Sequence, residues 1–196
     1  MASTEQPVDE SSKAPVPEPK LARGPSFPPI NLLWGDLALR LLLFASTLTG
    51  VVVMVTSKQT ELLFPFPVTK TAKFNYSPAF IYFVVALSVA CLYSILTITA
   101  SIFFILKSSP SNKLLLLVVS VDALMAGLVA SATGASASVA YIGLKGNSHV
   151  GWIKVCNIYH KFCRHIASST ALALVASIIL LWLVLLSTFS IYRRIR

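Results

Sequence analysis

The chain has 196 residues, 56% of them hydrophobic and only 12% charged, with a net charge of +9 and a mean hydropathy of +0.78. An average soluble domain carries about 25% charged residues, so a water-soluble globular fold is excluded, and three cysteines are too few for a disulfide-built scaffold. The basic excess does not read as a nucleic-acid surface, because the bases sit in short runs beside apolar blocks, where Lys and Arg anchor helices to phospholipid headgroups.

Residues 1–30 hold seven of the eleven prolines, with Ser, Glu and Lys between them. Such a stretch cannot bury enough apolar area to offset its ordering entropy, and reads as a disordered tail. Four long apolar blocks follow: Leu37–Val55, Ala79–Leu106, Leu114–Ile142 and Ile166–Tyr192. A bilayer core about 30 Å thick needs roughly 20 helical residues to cross it. The fold class is therefore an all-α membrane protein, a bundle of four transmembrane helices behind a disordered N-terminal tail. The first block starts too late and runs too long for a cleaved signal peptide and reads as an uncleaved anchor.

The first span is placed at 31–56, with Asn31 as a cap and Trp34 as an interfacial anchor. A first loop takes 57–78, and Phe64-Pro65-Phe66-Pro67 within it forbids continued helix. The second span covers 79–106. A polar turn at 107–113 makes the second and third spans antiparallel neighbours. The third span runs over 114–142, the second loop over 143–165 and the fourth span over 166–192, before a basic end at 193–196. Setting Arg40 aside, the side holding the termini carries eight bases and the opposite side seven, so charge bias does not orient the chain. The acidic tail and the cysteine pair of the second loop favour cytosolic termini.

Arg40 and Asp122 are the only charged residues inside the four apolar blocks. An ionisable group at such a position is expensive and therefore informative. Each lies eight residues past the same membrane face, at a depth of about 12 Å, so an intramembrane ion pair between them is feasible. A local alternative exists, since Asp36 precedes Arg40 by four residues in the favoured acid-then-base order. A structural role fits better than ion conduction or proton relay, because the second and fourth spans carry only scattered Ser and Thr.

The third span is rich in small residues, and at a spacing of four they form two stripes: Ala126/Ala130/Gly134/Ser138 and Ala123/Gly127/Ser131/Ala135. Small-xxx-small faces let helices approach closely in lipid. One stripe satisfies packing inside the bundle; a second is available to another protomer.

The second loop is the most featured soluble stretch. Trp152 and His149 are its candidates for contact with partners. Cys156 and Cys163 lie too far apart on a continuous helix to bond, whereas a turn between them allows a disulfide on an oxidising side. Metal binding by His149, His160, Cys156 and Cys163 is the rival, though the spacing fits no common zinc pattern. Asn75-Tyr-Ser77 is a glycosylation sequon close to the second span. No catalytic set, cofactor motif or metal cluster is recognisable, so the expectation is a non-enzymatic protein without cofactors.

Several stretches together resemble a known family. These are Arg40-Leu-Leu-Leu-Phe44 through Met54-Val-Thr-Ser-Lys58-Gln59-Thr60, then Ser77-Pro-Ala-Phe80-Ile-Tyr82, Asp122, and Lys145-Gly-Asn-Ser-His149 with Trp152, Cys156 and Phe162-Cys163. In this order they resemble the plant Casparian strip membrane domain protein-like (CASP-like) family, relatives of the four-span MARVEL domain. The resemblance implies a multi-pass plasma-membrane protein with both termini cytoplasmic, forming homo-oligomers and hetero-oligomers with related four-span proteins in contact with membrane lipid. It further implies a scaffold that organises a membrane domain and recruits wall-modifying enzymes. The stretch from Glu61 to Val68 departs from the first-loop signature of the Casparian strip members proper and points to the broader CASP-like group. A small channel or transporter using Arg40 and Asp122 is the alternative.

Overall fold

The computed structural model describes residues 30–63, 68–107 and 112–195. The Pro-rich tail before residue 30, Phe64–Pro67, the centre of the polar turn and Arg196 lie outside the described residues. Four helices dominate: α1 (Ile30–Thr56), α2 (Pro78–Lys107), α3 (Asn112–Lys145) and α4 (His160–Ile195). All four contain a stretch long and apolar enough to cross a bilayer, as the composition predicts.

The helices form a ring. α1 packs against α2 and α4, and α3 packs against the same two helices, so α1 and α3 face each other across the diagonal. Leu43, Phe83, Leu87, Val129, Leu180 and Leu183 are fully buried in the interior. Outward stand Leu42, Leu92, Leu96, Leu124, Leu181 and Leu185. That apolar exterior needs lipid to cover it.

Two interhelical hydrogen bonds tie α4 to its neighbours at one level of the ring. Ser169 Oγ on α4 donates to the Gly50 carbonyl of α1 at 2.7 Å, and the Ser136 and Thr170 hydroxyls of α3 and α4 meet at 2.8 Å. A Cβ at Gly50 would come within 2.9 Å of Leu87 Cδ2 on α2. The missing side chain is thus what lets three helices meet at one level.

The element limits differ from the sequence expectation mainly at the ends of α3 and α4 that flank the second loop. α3 continues to Lys145 rather than ending at 142, and α4 begins at His160 rather than 166. Hydropathy marks the length of chain that lipid covers, whereas a helix can continue through charged residues into water. The first loop is also more regular than expected. Strands β1 (Lys58–Leu63) and β2 (Val68–Lys73) pair antiparallel, with Thr60 opposite Thr71 and their hydroxyls 3.1 Å apart. Cross-strand Thr pairs of this kind stabilise such a hairpin modestly.

Candidate functional site

Towards one end of the bundle, five residues are joined by four hydrogen bonds centred on one guanidinium. Arg40 Nε donates to Asp36 Oδ2 at 2.9 Å, and Arg40 Nη2 to Asp122 Oδ2 at 3.3 Å. The sequence offered these two acids as competing partners; the fold gives Arg40 both. Asp122 Oδ1 accepts from the Tyr93 hydroxyl at 2.6 Å, and Asp36 Oδ2 accepts from Ser101 Oγ at 3.2 Å. Arg40 is 3% exposed and Asp122 fully buried, whereas Asp36 keeps 28% of its side chain exposed.

The geometry follows from helical spacing. Asp36 and Arg40 lie one turn apart on the same face of α1, which turns towards the bundle centre. Arg40 then reaches across the diagonal to α3, and α2 flanks both helices, so Tyr93 and Ser101 close the network from the side. Hydrogen bonds to the remaining lone pairs lower the cost of burying these charges. The network is satisfied at both carboxylates but not at the cation, since Arg40 Nη1 is buried without a hydrogen-bond partner. Neither α2 residue was distinguished in the sequence, because neutral polar side chains are scattered through every span.

At the opposite end of the bundle the second loop is cross-linked. Cys156 lies in a 3₁₀ turn (Val155–Asn157), and Cys163 in the first turn of α4, with Cα atoms 5.7 Å apart and a disulfide between them. The reversal at Ile158–Tyr159 supplies the turn that a continuous helix would lack. With both sulfurs bonded to each other, the alternative metal set of His149, His160, Cys156 and Cys163 loses its thiolates. Among the described residues no group of three or more His, Cys, Asp or Glu could hold a metal ion.

Trp152 and His149 occupy a tight turn next to this bridge. The backbones of Asn147 and Trp152 exchange two hydrogen bonds of 2.9 Å, and Asn147 Oδ1 accepts from the His149 amide at 3.1 Å. Gly146 enters the turn at φ +66°, where a Cβ would lie 2.7 Å from the Trp152 carbonyl. Both side chains are exposed. Asn75 is likewise exposed, in a 3₁₀ turn (Phe74–Tyr76) just ahead of α2.

The two loops are joined by Gln59, for which the sequence indicates no distant partner. Gln59 Oε1, on β1, accepts from the Phe162 amide at 2.8 Å, while its Nε2 donates to Glu61 Oε1 at 2.8 Å. Phe162 is in the first turn of α4, whose amides have no partner within the helix. Gln59 thus serves as a cap supplied from 103 residues away.

About half of the small residues of α3 face outward. The row that packs into the bundle is Val129, Ala132, Thr133 and Ser136. Of the two predicted stripes, Ala123, Gly127, Ala130, Ser131, Gly134 and Ser138 are exposed, Ala126 and Ala135 are half-buried, and the Ser131 hydroxyl meets that of Tyr82 on α2 at 2.8 Å. A Cβ added at Gly127 or Gly134 would meet nothing within 4 Å. α3 is also the least covered span, with 11% of its apolar window buried against 28–33% in the others.

These features define a four-span membrane protein with an intramembrane charge network at one end and a cross-linked loop at the other. The chain belongs to the Casparian strip membrane protein domain family, whose domain it matches over residues 31–179. It is 55% identical to CASP-like protein 1D1 of Musa acuminata over 180 residues, covering 88% of this chain and 94% of that one. The Populus trichocarpa CASP-like protein 1D1 is 52% identical over 202 residues, with 100% and 99% covered, and the Vitis vinifera protein of the same name 59% over 165 residues, with 82% and 79% covered. No solved structure matches the chain.

Proposed function

We propose that this protein is a non-enzymatic scaffold of the plasma membrane, associating laterally with copies of itself and with related four-span proteins to organise a membrane domain to which wall-modifying enzymes are recruited. The observation that carries this reading is the outward face of α3. Glycine in a helix interior costs about 1 kcal/mol relative to alanine, and at Gly127 and Gly134 no neighbour within the chain needs the space. A facing helix from another protomer would use it, since small residues permit close backbone approach where packing, rather than hydrophobicity, drives association.

Both termini lie in the cytosol on this reading. The disulfide supports it, because such bonds persist on the oxidising, extracytoplasmic side, and the termini are on the opposite side of a four-span chain. A channel built on Arg40 and Asp122 is less well supported: the interior beyond the network is filled by Leu43, Phe83, Leu87 and Val129, all fully buried.

The test is the subunit number of the detergent-solubilised protein by native mass spectrometry. The wild type is expected as an oligomer, and Gly127→Leu/Gly134→Leu as a folded monomer. An unchanged subunit number in the double variant removes α3 as the contact, and a monomeric wild type in lipid nanodiscs removes the scaffold reading altogether.

A further inference from the structure

The loop between α3 and α4 presents an exposed apolar surface separate from the outward face of α3. Val150, Trp152 and Ile153 are 58%, 55% and 72% exposed. Lys145 and Lys154 are exposed beside them, and from Ala123 to the C-terminus the chain contains no Asp or Glu at all. Three neighbouring large apolar side chains on a basic loop need a covering.

The height of the loop identifies that covering. Ser169 bonds to Gly50, and Ser136 to Thr170, so these residues share one level of the bundle. Thr56 ends α1 six residues above Gly50, and Lys145 ends α3 nine residues above Ser136. At 1.5 Å per residue the base of the loop is only about 5 Å farther along the bundle axis than the end of α1. Each headgroup layer is itself roughly 5–7 Å thick. The exposed Tyr141 and Leu144, on the last turns of α3, continue the apolar lipid-facing surface up to the loop.

We propose that this loop is a wedge seated in the interfacial layer of the bilayer, with Val150, Trp152 and Ile153 against the acyl boundary and Lys145 and Lys154 on lipid phosphates. It is a second, non-helical membrane contact and not a handle extended to a soluble partner. Trp and Lys suit this layer because each combines an apolar body with a polar tip. The loop is also preformed, by the Asn147–Trp152 pair, the Gly146 turn and the Cys156–Cys163 bridge. Little ordering entropy therefore opposes its insertion.

The chain has three tryptophans, so Trp34→Phe/Trp182→Phe leaves Trp152 as the single indole. The full-length variant is reconstituted in phosphatidylcholine vesicles carrying bromine either near the headgroup or near the chain end. The expected result is blue-shifted emission, strong quenching by shallow bromine, weak quenching by deep bromine, and protection from aqueous iodide. Adding Val150→Ser and Ile153→Ser should restore iodide quenching without changing the monodispersity of the protein. Including phosphatidylglycerol should strengthen shallow quenching, and Lys145→Gln/Lys154→Gln should abolish that gain.

Water-like emission with free access to iodide would overturn the proposal. So would an indole shielded from iodide and bromine alike, which would mark a protein interface. Protection from iodide only after addition of polygalacturonate would reassign the loop to an acidic wall polymer. Indifference to phosphatidylglycerol, together with unchanged quenching in phosphatidylcholine for Lys145→Gln/Lys154→Gln, would remove the phosphate contacts.

Discussion

Tyr93 and Asp122 sit on adjacent helices with the phenol oxygen 2.6 Å from Oδ1 of the carboxylate, while Arg40 reaches the other carboxylate oxygen from across the bundle at 3.3 Å. The buried acid is thereby shared between α1 and α2, and the three helices α1, α2 and α3 meet at one side chain. Removing either partner should destabilise the fold, by different amounts. Tyr93→Phe deletes one hydrogen bond to a charged group, a loss of about 1.5–3 kcal/mol. Arg40→Leu leaves two carboxylates without their cation, a loss of roughly 3–5 kcal/mol. Thermal unfolding in detergent, followed by size-exclusion fluorescence, should rank the melting points wild type, Tyr93→Phe, Arg40→Leu. The reverse order would mean that the phenol, and not the guanidinium, holds the acid.

The two acids that pair with Arg40 should not be equivalent. Asp122 is fully buried and Asp36 is 28% exposed, so water can replace part of what Asp36 loses. Asp36→Asn is expected to cost about 1 kcal/mol or less, near the range of exposed pairs, and Asp122→Asn several times more. Ser101→Ala should matter only while Asp36 is present, since its hydroxyl contacts that carboxylate. A double-mutant cycle on Asp36 and Ser101 would measure this coupling; strict additivity would contradict the network.

How much of this site the sequence exposes depends on how unusual each residue is where it stands. Arg40 and Asp122 are legible because a charge in an apolar span is rare. Tyr93 and Ser101 are not, because most neutral polar groups in these helices bond to their own backbone. Thr47 returns to the Leu43 carbonyl, Thr97 to Tyr93 and Ser177 to Ala173, and nothing local separates them from the Ser101 that crosses between helices. The small stripes of α3 are evident as composition, yet which way they face depends on the rotation of α3 that Asp122, Val129 and Ser136 impose. The first six residues of α4 escape for a different reason: His160 to His165 are polar or basic around Phe162 and Cys163, and their helix is held by a distant cap and a cross-link.

That cap gives a local prediction. Gln59→Ala removes the acceptor of the Phe162 amide, and loss of an N-terminal cap costs about 1 kcal/mol. Hydrogen exchange should accelerate at Phe162 and Cys163 by roughly fivefold, the equivalent of that energy, with the transmembrane part of α4 unaffected. Gln59→Glu/Glu61→Gln keeps both the acceptor for the Phe162 amide and a donor–acceptor pair within the first loop, and should retain the protection. Equal protection in Gln59→Ala would show that the first loop does not hold the start of α4.

Gly146 and Gly151 allow the turn around Trp152 to be tested against itself. Both have positive φ, +66° and +71°, so an alanine at either position incurs backbone strain of about 1–2 kcal/mol. Only at Gly146 does the new Cβ also meet backbone, 2.7 Å from the Trp152 carbonyl; at Gly151 it meets nothing within 4 Å. That carbonyl is the one the Asn147 amide bonds, so relief of the clash must break the pair that closes the turn. Gly151→Ala should therefore lower the melting point slightly and leave the turn intact. Gly146→Ala should lower it further and expose the Asn147 amide to rapid exchange. Similar exchange at Asn147 in both variants would mean that φ alone, and not the contact with Trp152, requires glycine at Gly146.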